Sequence, residues 1–308
     1  MDLKQLEYFV RVPELGSFTR AALQLGVTQP ALSKHLRLLE VELRQNLLIR
    51  NGRGAAPTEA GKRLLEHGRG ILHQVALAKE DLSATRGELS GLVSIGLPPS
   101  LSRLMTVPLT KAFQAELPMA KLRLTEGFSV LMLEGMRIGN LDMALLYNPA
   151  SSADLEQTLL HEESLVLISN AAALAASQAG NDIEGNGLEG NITLQAASRL
   201  PLILPSRPNA FRQLLDHEMT RLGIKPKIVM EVDGLNAILS LVQEGVGHAV
   251  LPSYTLAHYP PENFCVRAIT TPKLTSQLML VRPSQRPTTL TQQKAKSLLQ
   301  LVVQQALG

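Results

Sequence analysis

Residues 16–40, GSFTRAALQLGVTQPALSKHLRLLE, constrain the fold of this chain more than any other stretch. The pattern predicts two short amphipathic helices joined by a tight turn at Gly26. Ser17 stands where its hydroxyl can accept from first-turn backbone N–H groups of the first helix. Thr28 stands in the same place for the second, with Pro30 tolerated in that first turn. Ala21, Ala22 and Leu25 form the buried side of the first helix, and Ala31, Leu32, Leu36 and Leu39 recur as a stripe on the second. What the stripe leaves over is a face of Gln29, Ser33, Lys34 and Arg37 beside Pro30. Such polar side chains reach base edges and phosphates, and a helix pair of this kind lays its second helix in a major groove of DNA. Ser17, Thr19 and Thr28, at the helix starts, complete the candidate DNA-contacting set. The alternative is an ordinary helical hairpin whose polar face is merely solvated.

The next segment narrows that choice. Arg50 and Arg53 flank Asn51-Gly52, a turn signal, with Gly54 behind them, so two cations are expected on a short ribbon beside the second helix. Arginines on such a wing reach phosphates or an adjacent minor groove; a solvated basic turn is the alternative. Pro57 and Thr58 then open a helix expected from about Glu59 to Gly87. Its small or apolar positions Leu64, Gly68, Ile71, Val75, Ala78 and Leu82 alternate spacings of four and three. A narrow stripe of this period pairs with the same helix of a second copy, or else the helix packs on its own domain.

This order of parts, with Gly16-Ser17-Phe18-Thr19, Ala21-Ala22, Gln29-Pro30-Ala31-Leu32-Ser33, Leu39-Glu40, Arg50, Thr58, Ala60-Gly61, Gly139-Asn140-Leu141-Asp142 and GVGHAVLP at 245–252, resembles the LysR-type transcriptional regulators over essentially the whole chain. The LSGLVSIGLPPS and LDMALLYNP stretches further resemble the nitrogen-assimilation subgroup. The chain departs from the family pattern at Arg44 and Leu48, where a Gly and a Phe are usual, and at Pro13, which is expected to interrupt the end of the first helix. The resemblance implies an all-α winged helix-turn-helix with a long linker helix. After it comes an α/β effector domain of two subdomains, similar to periplasmic binding proteins, with a small-molecule cleft between the halves. It also implies binding to double-stranded DNA at an interrupted palindrome, and self-association as a dimer through the linker helix, with a tetramer as the larger assembly.

Charge placement agrees. Of a formal net charge of +3, the first ninety residues carry all of it, thirteen Lys+Arg against ten Asp+Glu. Cys265 is the single cysteine, so an intrachain disulfide is excluded and an inert strand residue is expected. The N-terminus lacks a signal-like apolar stretch and no run is long enough to span a membrane, which predicts a cytoplasmic protein with no membrane partner.

From Leu92 onward short β-rich runs alternate with helices, predicting a parallel-sheet α/β architecture. Strands are expected at 93–97, 121–125, 142–147, 164–169, 201–205, 227–232, 248–252, 264–269 and 277–282. Helices are expected at 100–116, 129–139, 211–222, 235–243 and 289–306, with a helical piece and loop over 171–191. The domains are then 1–58 for DNA binding, 59–88 for the linker helix, 92–163 with 268–308 for one effector subdomain, and 164–267 for the other. Open α/β sheets bind ligands where strands end and helices begin, and helix N-termini favour anions. The candidate effector residues are accordingly Ser100, Ser102, Ser129, Tyr147, Asn148, Ser206, Arg207 and Asn209. Ser100, Ser129 and Asn209 are equally readable as helix caps, and Arg207 as a solvated or ion-paired residue. Ser100, Ser129, Asn148 and Asn209 are expected to converge on a small anionic metabolite.

Gly185-Asn186-Gly187-Leu188-Glu189-Gly190 matches a dinucleotide-binding GxGxxG, but no strand precedes it and no helix follows, so a loop is expected there. His161-Glu162 lacks the second histidine of a zinc-protease motif. No nucleophile, base and orienting residue come together in the pattern, so no enzyme activity, cofactor or metal is expected. The other reading is an enzyme or solute-binding protein carrying a DNA-binding appendage, and the absent signal stretch argues against a periplasmic receptor.

Overall fold

The computed structural model describes residues 1–51, 54–83, 89–172, 190–257 and 259–307. Helix α1, Leu3–Leu15, opens on a reciprocal cap: Asp2 accepts from the Gln5 backbone N–H at 2.7 Å, and the Gln5 side chain accepts from the Asp2 N–H at 3.0 Å. Pro13 does not interrupt it; the helix runs on to Leu15 and stops at Gly16, whose φ of +62° suits glycine. Helix α2, Phe18–Gln24, and helix α3, Gln29–Leu43, start where expected. Ser17 caps the first through the Arg20 N–H at 3.3 Å, and Thr28 the second through the Ala31 N–H at 3.4 Å. Phe9 and Val12 of α1 fill the core against Ala21, Ala22, Leu32, Leu36 and Leu39. At ~1.5–3 kcal/mol for each fully buried large apolar side chain, this stripe fixes how α3 is rolled, and hence which side chains point away.

The wing is a two-stranded antiparallel ribbon, β1 Leu48–Asn51 and β2 Gly54–Pro57. Arg50 lies on β1 with Ala55 as its register partner, while Arg53 falls outside the described residues. Helix α4, Glu59–Ser83, follows; its expected continuation to Gly87 also lies outside them. The expected seam on α4 is divided. Leu64 packs into the core of α1–α3, and a Cβ on Gly68 would stand 3.0 Å from Val10 and 3.1 Å from Leu6, so this end of the stripe is used within the chain. Ile71 (40% exposed) and Leu82 (79%) face solvent.

The second half holds β3 Gly91–Leu97, α5 Pro99–Glu116, β4 Ala120–Glu126, α6 Ser129–Ile138, β5 Met143–Tyr147, β6 Leu155–Asn170, β7 Gly190–Thr193, α7 Leu194–Ser198, β8 Leu202–Leu204, α8 Ala210–Arg221, β9 Ile228–Glu231, α9 Leu235–Gln243, β10 Ala249–Pro252, β11 Phe264–Thr271, β12 Thr275–Pro283 and α10 Leu290–Leu307. The strand order is β4-β3-β5-β12-β6-β11-β7, with β10 also on β6, and β8 and β9 form a separate parallel pair. The sheet is mixed and not all-parallel: β3 pairs β4 and β5 in parallel, but β12 is antiparallel to β5 and β6, and β10 and β11 are antiparallel to β6. The strand expected at 164–169 begins nine residues earlier, at Leu155. It pairs with β12 as far as Ser164 and with β10 and β11 from Leu165 on, so one strand serves two lobes. β7 and α7 were not expected; of the preceding segment, including Gly185 to Glu189 of the glycine motif, residues 173–189 lie outside the described residues. Leu101, Met105, Leu109 and Phe113 recur every fourth residue along α5 and are buried, as are Leu299 and Val303 of α10. Among the described residues no helix is long and apolar enough to cross a membrane.

Candidate functional site

Two places bring the sequence candidates together. The first is the outward face of α3. With Leu32, Leu36 and Leu39 buried, Gln29, Pro30, Lys34 and Arg37 are exposed and Ser33 is half-buried; Thr19 and Thr28 are exposed at the helix starts, and Ser17 is half-buried at its cap. Arg44, not foreseen, lines the same open groove as Ser33 and Arg37. It ends α3 at φ +51°, a conformation glycine adopts more readily, and the residue is legible as a departure only because a Gly is usual there.

The wing is held to this helix by backbone contacts. Glu40 of α3 accepts from the N–H groups of Leu47 (2.8 Å) and Leu48 (3.2 Å), and the Thr58 hydroxyl donates to the Asn46 carbonyl at 2.7 Å. A Cβ at Gly61 would lie 2.0 Å from the Leu47 carbonyl oxygen, so only glycine lets α4 approach. The ribbon is tied at its other strand too, where the Ala55 N–H donates to the Gly16 carbonyl at 3.1 Å.

The second place is a narrow cleft between the lobes, about 570 Å³ of empty space when the solvent at its mouth is included. Four helices begin at its wall: α5 at Pro99 and Ser100, α6 at Ser129, α8 at Asn209 and Ala210, and α9 at Leu235. Asn209 caps α8, accepting from the Phe211 and Arg212 N–H groups at 2.9 and 3.2 Å. Helices α6 and α9 have no side-chain cap, so their first-turn N–H groups are open to a ligand. Neither Ser100 nor Ser129 is a cap: both lie inside the helix, behind Pro98 and Phe128. Phe128, Phe211, Ile238 and Leu251 supply apolar wall, and among the described residues Asp233 is the charged one of the lining.

Tyr147 lines the cleft, and its hydroxyl is hydrogen-bonded to that of Tyr254, with Ser100 reaching both. Burial pushes both phenols well above their ordinary range, so they keep their protons at neutral pH and can donate. Neither Tyr254 nor Asp233 was foreseen. Tyr254 follows β10 in a short 3-10 turn, and nothing local marks it as a cleft residue.

Four candidates do not join this wall. Asn148, with φ +44°, donates to the Ser276 hydroxyl at 2.9 Å and accepts from the Gln277 N–H at 2.8 Å, so its amide is committed to β12. Arg207 is 68% exposed and paired with Asp216 at 2.7 Å, the ion-paired alternative. Ser102 sits further along α5, where its carbonyl accepts from Thr106, and Ser206 gives its N–H to Asp233 at 3.1 Å; neither lines the cleft.

Comparison with known proteins agrees with this layout. The family model described as bacterial regulatory helix-turn-helix protein, lysR family, matches residues 3–62, and that of the LysR substrate binding domain matches residues 86–306. The nitrogen assimilation regulatory protein nac of Escherichia coli (strain K12) is 33% identical over 305 residues, 98% of this chain and 95% of its own. The protein of the same name from Klebsiella aerogenes is 33% identical over 282 residues, 91% and 88% of the two chains. Among solved structures, a full-length OxyR variant from Pseudomonas aeruginosa superposes with a TM-score of 0.70 at 22% identity, over 100% of this chain and 96% of its own. CbnR, a LysR family transcriptional regulator, gives 0.68 at 23%, over 100% of both chains, and CbnR in complex with its target DNA gives 0.68 over 99% and 100%. The chain belongs to the LysR family of transcriptional regulators, with a DNA-binding helix-turn-helix at its N-terminus and an effector-binding domain behind it.

Proposed function

We propose that paired copies of this chain bind an interrupted palindrome of double-stranded DNA and respond to a small anionic metabolite held in the interlobe cleft. In this reading Gln29, Pro30 and Ser33 face base edges. Ser17, Thr19, Thr28, Lys34, Arg37, Arg50 and Arg53 meet phosphates or the neighbouring minor groove. Residues 1–58 are the DNA-binding domain and 59–88 the linker. Residues 92–163 with 268–308, and 164–267, are the effector subdomains on either side of the cleft. The protein works as a regulator and not as an enzyme, in the cytoplasm, where its DNA target lies.

The observation that carries the effector reading is the meeting of four helix N-termini at one wall of the cleft. A helix start favours an anion by ~0.3–1 kcal/mol when exposed, and up to ~2 kcal/mol when partly buried. An acid is thus attracted although, among the described residues, no lysine or arginine lines this wall. Asp233 and the apolar side chains select against a large polyanion, while Ser100, Ser129 and Tyr147 offer hydroxyls to a carboxylate.

Gel-shift titration tests the DNA half: Gln29→Ala with Ser33→Ala is expected to lower the ratio of specific to nonspecific affinity, and Arg37→Ala to weaken both and flatten the salt dependence. Affinity and salt slope unchanged in both variants would overturn the DNA assignment. For the cleft, Ser100→Phe with Ser129→Phe is expected to leave DNA affinity intact and abolish the inducer response of a reporter. A normal response would place the effector elsewhere.

A further inference from the structure

Beside the helix starts that suit a carboxylate, the interlobe cleft carries groups that suit a cation. The chain holds four tyrosines, six phenylalanines and no tryptophan, yet Phe128, Tyr147 and Phe211 all line this one narrow space. Tyr147 and Phe211 come from different lobes and stand 4.6 Å apart between ring centroids. Aromatic rings attract an ammonium group held within about 6 Å of their faces. So dense a gathering of rings in an aromatic-poor chain is therefore more than apolar wall.

Asp233 adds a full negative charge at the same place. It is exposed; one of its oxygens accepts from the Ser206 N–H at 3.1 Å, and the other has no partner among the described residues. A ligand that brought only a carboxylate would meet this like charge with no cation between them. Among the described residues no lysine or arginine lines the cleft, and the sequence of residues 173–189 contains neither. Like charges brought together at a binding surface oppose association. A ligand that carries both signs removes the conflict, because its positive group meets Asp233 while its carboxylate meets the helix starts.

The spacing of the two demands is set by the chain itself. Asp233 immediately precedes Gly234, the residue at which α9 begins without a side-chain cap. The carboxylate that calls for a cation and the backbone N–H groups that call for an anion are thus neighbours, which suits opposite charges on adjacent ligand atoms. Pro98, Pro99, Pro205 and Pro208 line the same narrow space and leave room for a short side chain.

We propose that the cleft takes a small zwitterion, an α-amino acid with a short side chain. Its carboxylate accepts at the open starts of α6 and α9 and from the hydroxyls of Ser100 and Ser129, and its ammonium donates to the second oxygen of Asp233 beside the aromatic rings. This rests on the cleft reading above and narrows it from an acid to an amino acid. Selectivity comes from both ends: an acid of the same size leaves Asp233 facing a like charge, and an amine leaves the first-turn N–H groups without an acceptor.

Calorimetric titration of the full chain with each of the protein amino acids tests it, followed for every binder by the matched acid without the amino group and the matched amine without the carboxylate, such as propionate and ethylamine for alanine. At least one short amino acid is expected to bind saturably, and its acid and amine counterparts each ~10-fold or more weakly. Asp233→Asn keeps an acceptor for the Ser206 N–H and removes the charge; it is expected to weaken the amino acid ~10-fold and to close the gap to the acid. If that variant fails to fold, the comparison of matched ligands on the wild-type chain carries the test. Ser100→Phe with Ser129→Phe is expected to abolish binding. Acids binding as tightly as their amino acids, affinity unchanged in folded Asp233→Asn, or binding that survives in the double phenylalanine variant would each overturn the proposal. Acids binding where no amino acid does would overturn it and leave the cleft reading standing, whereas no binding of either would overturn both.

Discussion

At the scale of single residues, the polar candidates separate by what their neighbours demand. Ser100, Ser129 and Asn209 reach the cleft because helix starts project there, which a strand-then-helix pattern already implies. Asn148 stands at an equivalent point in sequence, yet Ser276 and Gln277, nearly 130 residues later, take its amide. No local pattern carries that pairing. Glu163 shows the same non-local control: it is buried beside Ser253 and His161, and burial raises its pKa above the ordinary carboxylate value. A carboxyl with a raised folded-state pKa binds its proton more tightly folded than unfolded. Its penalty is therefore absent below the ordinary value of 4.5 and grows as pH rises through the raised one. Glu163→Gln removes the ionisation, so thermal scans should show a larger gain in Tm at pH 8 than at pH 4. Equal changes at both pH values would mean that the side chain does not ionise against a burial cost.

At the scale of elements, α2, α3 and the wing were legible because their signals are local: caps at Ser17 and Thr28, a turn at Gly26, a stripe on α3. The linker helix was legible only in part. Its stripe of fours and threes is real, but Leu64 and Gly68 are spent on α1, and a different set, Gly70, His73 and Leu77, meets the effector domain. A glycine in mid-helix reads as a weakness from sequence alone, costing ~1 kcal/mol relative to alanine. Here it is a contact, since a Cβ at Gly70 would lie 1.7 Å from the Ile138 carbonyl oxygen. Gly70→Ala gains the helix propensity but forces α4 off a backbone atom that cannot yield like a side chain. Overpacking of this kind costs ~1–3 kcal/mol, so the net effect is expected to be destabilising, with faster hydrogen exchange at His73 and Gln74. A stabilised protein with unchanged exchange would show that the helix does not dock there.

At the scale of the whole molecule, the alternation of strands and helices gave the α/β class correctly and the sheet direction incorrectly. Strand polarity depends on where the chain re-enters a sheet. β12 comes back between β5 and β6 after more than a hundred residues in between, and runs antiparallel to both. Assembly is a question at the same scale. Once Leu64 and Gly68 are packed on α1, the part of the α4 stripe left for a second copy is Ile71, Ala78 and Leu82, all exposed. If two copies pair through that surface, charges placed on it meet their own image across the two-fold axis and repel. Ile71→Glu with Leu82→Glu is expected to convert the dimer to a monomer in analytical ultracentrifugation. Two half-sites bound by a linked pair gain ~100-fold or more in affinity over one. The double variant should therefore lose about that factor on a full palindrome while keeping the wild-type affinity for a single half-site. An unchanged mass would assign association to another surface, and a monomer that still bound the palindrome at full strength would break the link between assembly and recognition.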